Sequence, residues 1–104
     1  MSDVALLYST FPGRPAAERV AETVLAERLA ACVNILGPST AIYRWEGAIE
    51  HSEEVPALFK TTPELAGRLR ARIEALHPYD LPVVEAWPAA AAAAVSRWMS
   101  AETG

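Results

Sequence analysis

The sequence predicts an α+β sandwich of βαββαβ order with a terminal helix, and three observations carry that reading. Short apolar runs rich in β-branched and aromatic residues alternate with stretches whose hydrophobic residues recur every three or four positions. Prolines and glycines punctuate the boundaries between them. A chain of 104 residues, 52% hydrophobic and 21% charged, suits one domain spanning residues 1–104 with a single core.

Each element follows from its own stretch. Val4 to Ser9 is a short apolar run that reads as a buried strand, broken by Phe11-Pro12-Gly13-Arg14-Pro15. Ala17, Val20, Ala21, Val24, Leu25 and Leu29 then share a helical stripe, with Pro15 in the first turn, where a missing amide hydrogen costs nothing. The runs ACVNIL and STAIYRWEGAI read as one long strand kinked at Gly37-Pro38. A polar tip over Glu50 to Glu53 is expected to turn it back into EVPALFKT. Pro56, unable to donate to a ladder, is expected at an edge or facing away from its neighbour.

Thr62 is the expected cap of a second helix with Pro63 at its first position, and Leu65, Leu69, Ile73 and Leu76 form its buried stripe. It should stop at His77, because Pro78 disfavours helical geometry before it. Val83 to Trp87 reads as the last core strand, and Pro88 as the start of a terminal helix through the alanine run. Right-handed crossovers place both longer helices on one face, the ferredoxin-like arrangement.

Composition bounds the partners. A formal net charge of −4 lacks the concentrated basic face that a nucleic-acid backbone requires. Met1-Ser2-Asp3 has no basic flank, so no secretory signal is expected, and no stretch is expected to span a membrane. One cysteine cannot close an internal disulfide, which makes the cytoplasm the expected compartment.

Cys32 reads first as a small buried hydrophobe, with a reactive or ligating role as the alternative. The histidines are His51, expected in the hairpin tip, and His77, at a corner with the sequence HPYDLP. No CxxC or HExxH spacing occurs, so a metal site in one chain would be open and weak. A soft cation such as copper would choose Cys32 and His77, and a harder one Asp80 and Glu54. Lys60 ends an apolar strand and reads as a snorkelling lysine or an anion contact. Tyr43, Trp45 and Trp87 read as core or oligomer packing before ligand stacking. Phosphate-binding glycine loops and a nucleophilic triad are absent from the sequence pattern.

Three blocks, RLAACVNI from Arg28 to Ile35, SxxxYxWxGxI with EVxxxxKTT from Ser39 to Thr62, and HPYDLP from His77 to Pro82, resemble the CutA-type divalent-cation tolerance proteins in order and interval. The resemblance implies a ferredoxin-like protomer in a homotrimer similar to the PII signalling proteins, with hairpins reaching around neighbours. It further implies a link to tolerance of copper and other divalent cations, without a settled reaction. On this basis Cys32 and His77 are the expected metal contacts. Tyr43, Trp45, Glu54, Lys60, Tyr79 and Asp80 are the expected members of an inter-subunit cleft for a small anionic ligand. Asp80 departs from a usual Glu, Pro56 interrupts a usually apolar strand, and Val95 stands where a tyrosine is usual before Trp98.

The expected arrangement has His77, Tyr79 and Asp80 facing a cleft completed by Lys60 and Trp45 of a neighbour. His77 at a helix end predicts a stabilised protonated form. The favoured function is a non-catalytic binding protein. The alternative is an enzyme with His77 and Asp80 as proton-transfer groups and Lys60 holding a substrate anion.

Overall fold

The computed structural model describes residues 2–104. The elements are β1 (Ser2–Phe11), α1 (Arg14–Ala26), β2 (Cys32–Ile35), β3 (Ser39–Trp45), β4 (Ala48–Thr61), α2 (Ala66–Leu76, entered through a 3-10 turn at Pro63–Leu65), β5 (Glu85–Ala91) and α3 (Ala93–Glu102). The five strands make one antiparallel sheet in which β4 and β1 are central, β5 flanks β1, and β2 and β3 both pair with β4. Taking β2 and β3 as one interrupted strand gives the ferredoxin-like order.

Alternation along β1 and β4 decides where the core lies. Ala5, Leu7 and Phe11 pair in register with Thr61, Phe59 and Val55, so these side chains share one face, and all are buried. Ala17, Val20 and Val24 of α1 and Leu69 and Ile73 of α2 close over that face. The expectation that both longer helices cover one side therefore holds. Arg72 of α2 grips both carboxylate oxygens of Glu27 at 2.8 Å, and this neighbour holds the Glu27 carboxyl below its usual range. Within the core face, the Thr61 hydroxyl donates to the Leu29 carbonyl at 2.7 Å, satisfying a buried polar group.

Several boundaries differ from the sequence reading. The turn lies at Glu46-Gly47, not at Glu50 to Glu53: both residues have positive φ, 49° and 84°, the two-residue hairpin geometry that matches strand twist. His51 is consequently mid-strand, opposite Ile42, and exposed. The α1 helix stops at Ala26, and Leu29 reaches the core only because Arg28 takes a left-handed conformation at φ 61°. Thr62 occupies the cap position with its carbonyl, not its hydroxyl, engaged by the Leu65 amide. β5 begins at Glu85, so Pro88 and Ala89 to Ala91 are strand residues paired with β1. Pro88 is tolerated there because β5 is an edge strand.

Pro56 sits in a central strand, not at an edge, yet its amide position faces away from β1. Its carbonyl accepts the Leu36 amide hydrogen at 2.9 Å, and a residue's N and C=O point to the same side of a strand. The missing donor thus faces Leu36, immediately past the end of β2 and before Gly37-Pro38. Beyond that point β3 and the first half of β4 continue as a two-stranded ribbon. The molecule extends 45 × 25 × 23 Å. No helix among the described residues is long and apolar enough to cross a membrane.

Phe59 is fully buried and packs at 6.3 Å, ring to ring, against Phe11. Phe59→Ala is expected to cost about 3–5 kcal/mol of stability, measured by urea unfolding at one fixed protein concentration. A loss below about 1 kcal/mol would contradict this account of the core.

Candidate functional site

The register set by the Glu46-Gly47 turn places Ser39, Ala41, Tyr43 and Trp45 opposite Glu54, Ser52, Glu50 and Ala48, all on the ribbon face away from the helices. The HPYDLP corner folds against the base of this ribbon. Between them lies a cleft of about 570 Å³ whose walls include Tyr43, Trp45, Glu54, Tyr79, Asp80 and Leu81.

Hydrogen bonds fix the corner. His77 caps the end of α2 in an extended conformation and its ring stacks on Phe11 at 4.6 Å. Its Nε2 contacts the Thr10 carbonyl at 2.8 Å, and its Nδ1 accepts the Tyr79 amide hydrogen at 3.2 Å. A carbonyl can only accept and an amide can only donate, so the ring is neutral with its proton on Nε2. Burial moves the imidazole below its usual pKa, outweighing the Thr10 carbonyl and the charge of Glu54. The expectation of a stabilised protonated form from the helix end is therefore overturned: desolvation wins over the dipole.

Tyr79, held by that amide bond, donates its hydroxyl to Glu54 Oε2 at 2.6 Å. Burial and the neighbouring carboxylate push the phenol well above its usual range, so it stays a donor. The bond ties the corner to β4 across the floor of the cleft. The ring of Tyr79 also meets that of His77 at 4.8 Å.

The structure brings together Tyr43, Trp45, Glu54, Tyr79 and Asp80 within a single chain. Trp45 therefore lines the cleft of its own chain and need not come from a neighbour. Lys60 is not among the lining residues: it pairs with Leu6, four pairs from the Thr10–Pro56 pair, about 13 Å along the strand. Cys32 sits beside Lys60 on the face away from the helices, half-buried, with its thiol 3.9 Å from Asn34 Oδ1. His77, stacked on Phe11, is on the helix-covered side. Cys32 and His77 of one chain are thus apart, and both ring nitrogens of His77 are engaged. No three His, Cys, Asp or Glu side chains converge as a metal-holding group among the described residues. The donors present in one chain do not fit a chelated resident metal.

The sequence reading did not identify Glu50, opposite Tyr43 on the cleft's face of the ribbon, or Thr10, whose carbonyl anchors His77. The Glu-Gly pair was the signal for the first, because a two-residue turn there sets the register.

Fold and site together define a ferredoxin-like α+β protein carrying a ligand-sized cleft where a projecting ribbon meets its body. The sequence profile of the CutA1 divalent ion tolerance protein family matches residues 5–102, and the chain belongs to that family. It is 48% identical over 79 residues to the divalent-cation tolerance protein CutA of Pyrococcus horikoshii, covering 76% of each chain. It is 42% identical over 90 residues to the protein of the same name from Thermus thermophilus, covering 86% of this chain and 85% of the relative. The crystal structure of CutA from Xylella fastidiosa superposes with a TM-score of 0.94 at 38% identity, covering 99% of this chain and 100% of that one.

Because folded His77 resists the proton that the unfolded chain accepts at a pKa near 6.5, its contribution is complete above 6.5 and is lost as pH falls through the lower folded value. The urea midpoint is expected to fall between pH 7.5 and 5, and the fall is expected to be shallower in His77→Gln. An identical slope in that variant, with His51→Ala as the exposed control, would rule out His77 as its source.

Proposed function

We propose that this chain acts as a non-catalytic homotrimeric binding protein of divalent-cation tolerance, with the cleft at the ribbon base as its ligand site between subunits. The observation that carries the reading is the cleft itself: Tyr43, Trp45 and Tyr79 surround a pocket whose rim residues Leu81 and Val83 are 62% and 54% exposed. Such a rim gains from a second copy laid over it. The ribbon supports the same assembly, since a two-stranded hairpin is marginal alone and this one exposes Ile42 and Ile49 at 63% and 65%. The sheet face opposite the helices also presents half-buried Leu6, Tyr8 and Leu58 beside exposed Trp87.

The enzyme alternative has less support. His77 has no free ring nitrogen for proton transfer, and Lys60 is remote from Asp80 in the same chain. Lys60 lies outside the cleft of its own chain, so an anionic ligand there would rely on Lys60 of a neighbouring copy. Divalent-cation binding in this reading is weak, with the Cys32 thiolate as a soft donor for Cu²⁺ and any second donor supplied by another copy.

Sedimentation equilibrium is expected to return three times the 11.2 kDa chain mass at micromolar concentration. A well-folded lone subunit would overturn the trimer. Native mass spectrometry of the purified protein against a small-molecule collection is expected to find ligands lost in Trp45→Leu; a collection with no such ligand would count against the cleft. Titration calorimetry with Cu²⁺ is expected to show binding weakened at least about threefold in Cys32→Ser and unchanged in His77→Ala. Unchanged binding in Cys32→Ser would remove the assigned donor.

A further inference from the structure

Glycine usually follows a helix that ends the way α1 does. The Leu29 amide donates to the Val24 carbonyl and the Arg28 amide to the Leu25 carbonyl, both at 3.0 Å, and the residue after the helix turns left-handed at φ 61°. That residue is Arg28, whose Cβ is crowded in such a conformation. A long side chain present against that strain points to a contact that glycine cannot make.

The contact is with the end of α3, 73 and 76 residues further on. Arg28 Nε donates to the Gly104 carbonyl at 3.0 Å and its Nη2 to the Ala101 carbonyl at 2.9 Å, while the Arg28 carbonyl accepts the Gly104 amide hydrogen at 3.0 Å. The fork of a guanidinium suits two neighbouring carbonyls of the kind a helix C-terminus leaves without an internal partner. It also brings to that end the positive charge that the last turn of α3 lacks.

Little else holds α3. Its ten residues are a marginal length for a helix on its own. Met99, 3% exposed, is its one buried side chain, and Ala92 at its N-terminus offers no capping bond. The helix packs against β1. Met99 and, on β1, Val4 are both buried, yet neither is part of the core under α1 and α2. Arg28 itself is exposed, so the clamp can open without disturbing that core.

We propose that α3 is a strap that opens and closes as a unit on the body of the protein, and that Arg28 is the latch that holds it closed. Opening leaves the sheet and the two longer helices in place and uncovers Met99 together with the surface it packs on. All three bonds of the clamp lie within one chain, so every copy in an assembly carries its own latch. Arg28 also begins the segment that runs through buried Leu29 and Ala30 to Cys32, which ties α3 to the strand bearing the thiol.

The test is amide hydrogen exchange read by mass spectrometry on the assembled protein, comparing peptides of α3 with peptides of the central strand β4. In the wild type, α3 is expected to exchange at least about tenfold faster than Ala57 to Thr61, the signature of opening apart from the core. Arg28→Gly keeps the left-handed backbone and lacks the clamp. It is expected to speed exchange in α3 about tenfold or more while leaving β4 within about twofold. Arg28→Lys, which can hold one carbonyl at a time, is expected to fall between the two. A variant enters the comparison once its sedimentation and circular dichroism match wild type, and Arg28→Lys carries the test if Arg28→Gly does not. Exchange of α3 unchanged in the variants overturns the latch. Equal acceleration in α3 and β4 overturns it too, because Arg28 would then support the whole fold and not the strap. Wild-type α3 exchanging as slowly as β4 removes the independent opening, whether the core or another copy holds the helix down.

Discussion

The arrangement depends on one strand serving two sets of partners. Over Ala57 to Lys60, β4 lies between β1 and β2 and belongs to the core sheet; over Ala48 to Glu54 it pairs with β3 alone. Pro56 marks the change. A proline in a central strand forfeits a ladder bond, and here its donor side faces Leu36, immediately past the end of β2 and before the Gly37-Pro38 interruption. The two interruptions coincide, so the bond is lost where β2 has already ended. The same coincidence fixes where the body ends, and the cleft opens at that boundary, with Glu54 two residues before Pro56.

A site at the root of a ribbon needs something to hold the ribbon's angle, and hydrogen bonds from the corner supply it. The Thr10 carbonyl sets the tautomer of His77, His77 orients the Tyr79 amide, and the Tyr79 hydroxyl reaches Glu54. The imidazole is left neutral and the phenol un-ionised, with Glu54 as the acceptor at the end. Bonds of this kind, in partly buried surroundings, strengthen one another and penalise rearrangement. The two prolines of HPYDLP shorten the list of alternative conformers, so the corner arrives at its partners with less entropy to lose. This answers why an imidazole recurs in a corner that proline alone could turn: it is the strut between β1 and the cleft wall.

Much of this was legible in the sequence, and the failures have physical causes. The core residues of β1, α1 and α2 were readable because burial on one face imposes a period, and Leu7, Val20, Leu69 and Ile73 obey it. The last strand was misread by two residues at its start and four at its end. Val83 and Val84 favour extended structure locally, but the Val83 carbonyl is taken by the Ser9 hydroxyl and the chain joins β1 only at Glu85. Ala89 to Ala91 favour helix, yet pairing with Val4 to Ser2 outweighs the few tenths of a kcal/mol per residue that propensity offers. The cleft's members Tyr43, Trp45, Glu54, Tyr79 and Asp80 were found through family resemblance. Lys60 adjoins those residues in the sequence blocks, and the register carries it about 13 Å from the cleft of its own chain, as a residue expected to serve a neighbour's cleft allows.

That displacement bears on what cation tolerance can mean at the level of one subunit. Sequestering a metal ion tightly requires donors that have already paid their ordering cost and converge without further movement. Here the two candidates lie on opposite faces of the sheet, and one of them, His77, would have to give up one of its two backbone partners to coordinate, keeping the bond of its other ring nitrogen. Releasing a buried carbonyl or amide costs on the order of 1–3 kcal/mol when water does not replace the partner. In the proposed trimer, a second donor for a metal ion held at Cys32 would therefore have to come from another copy.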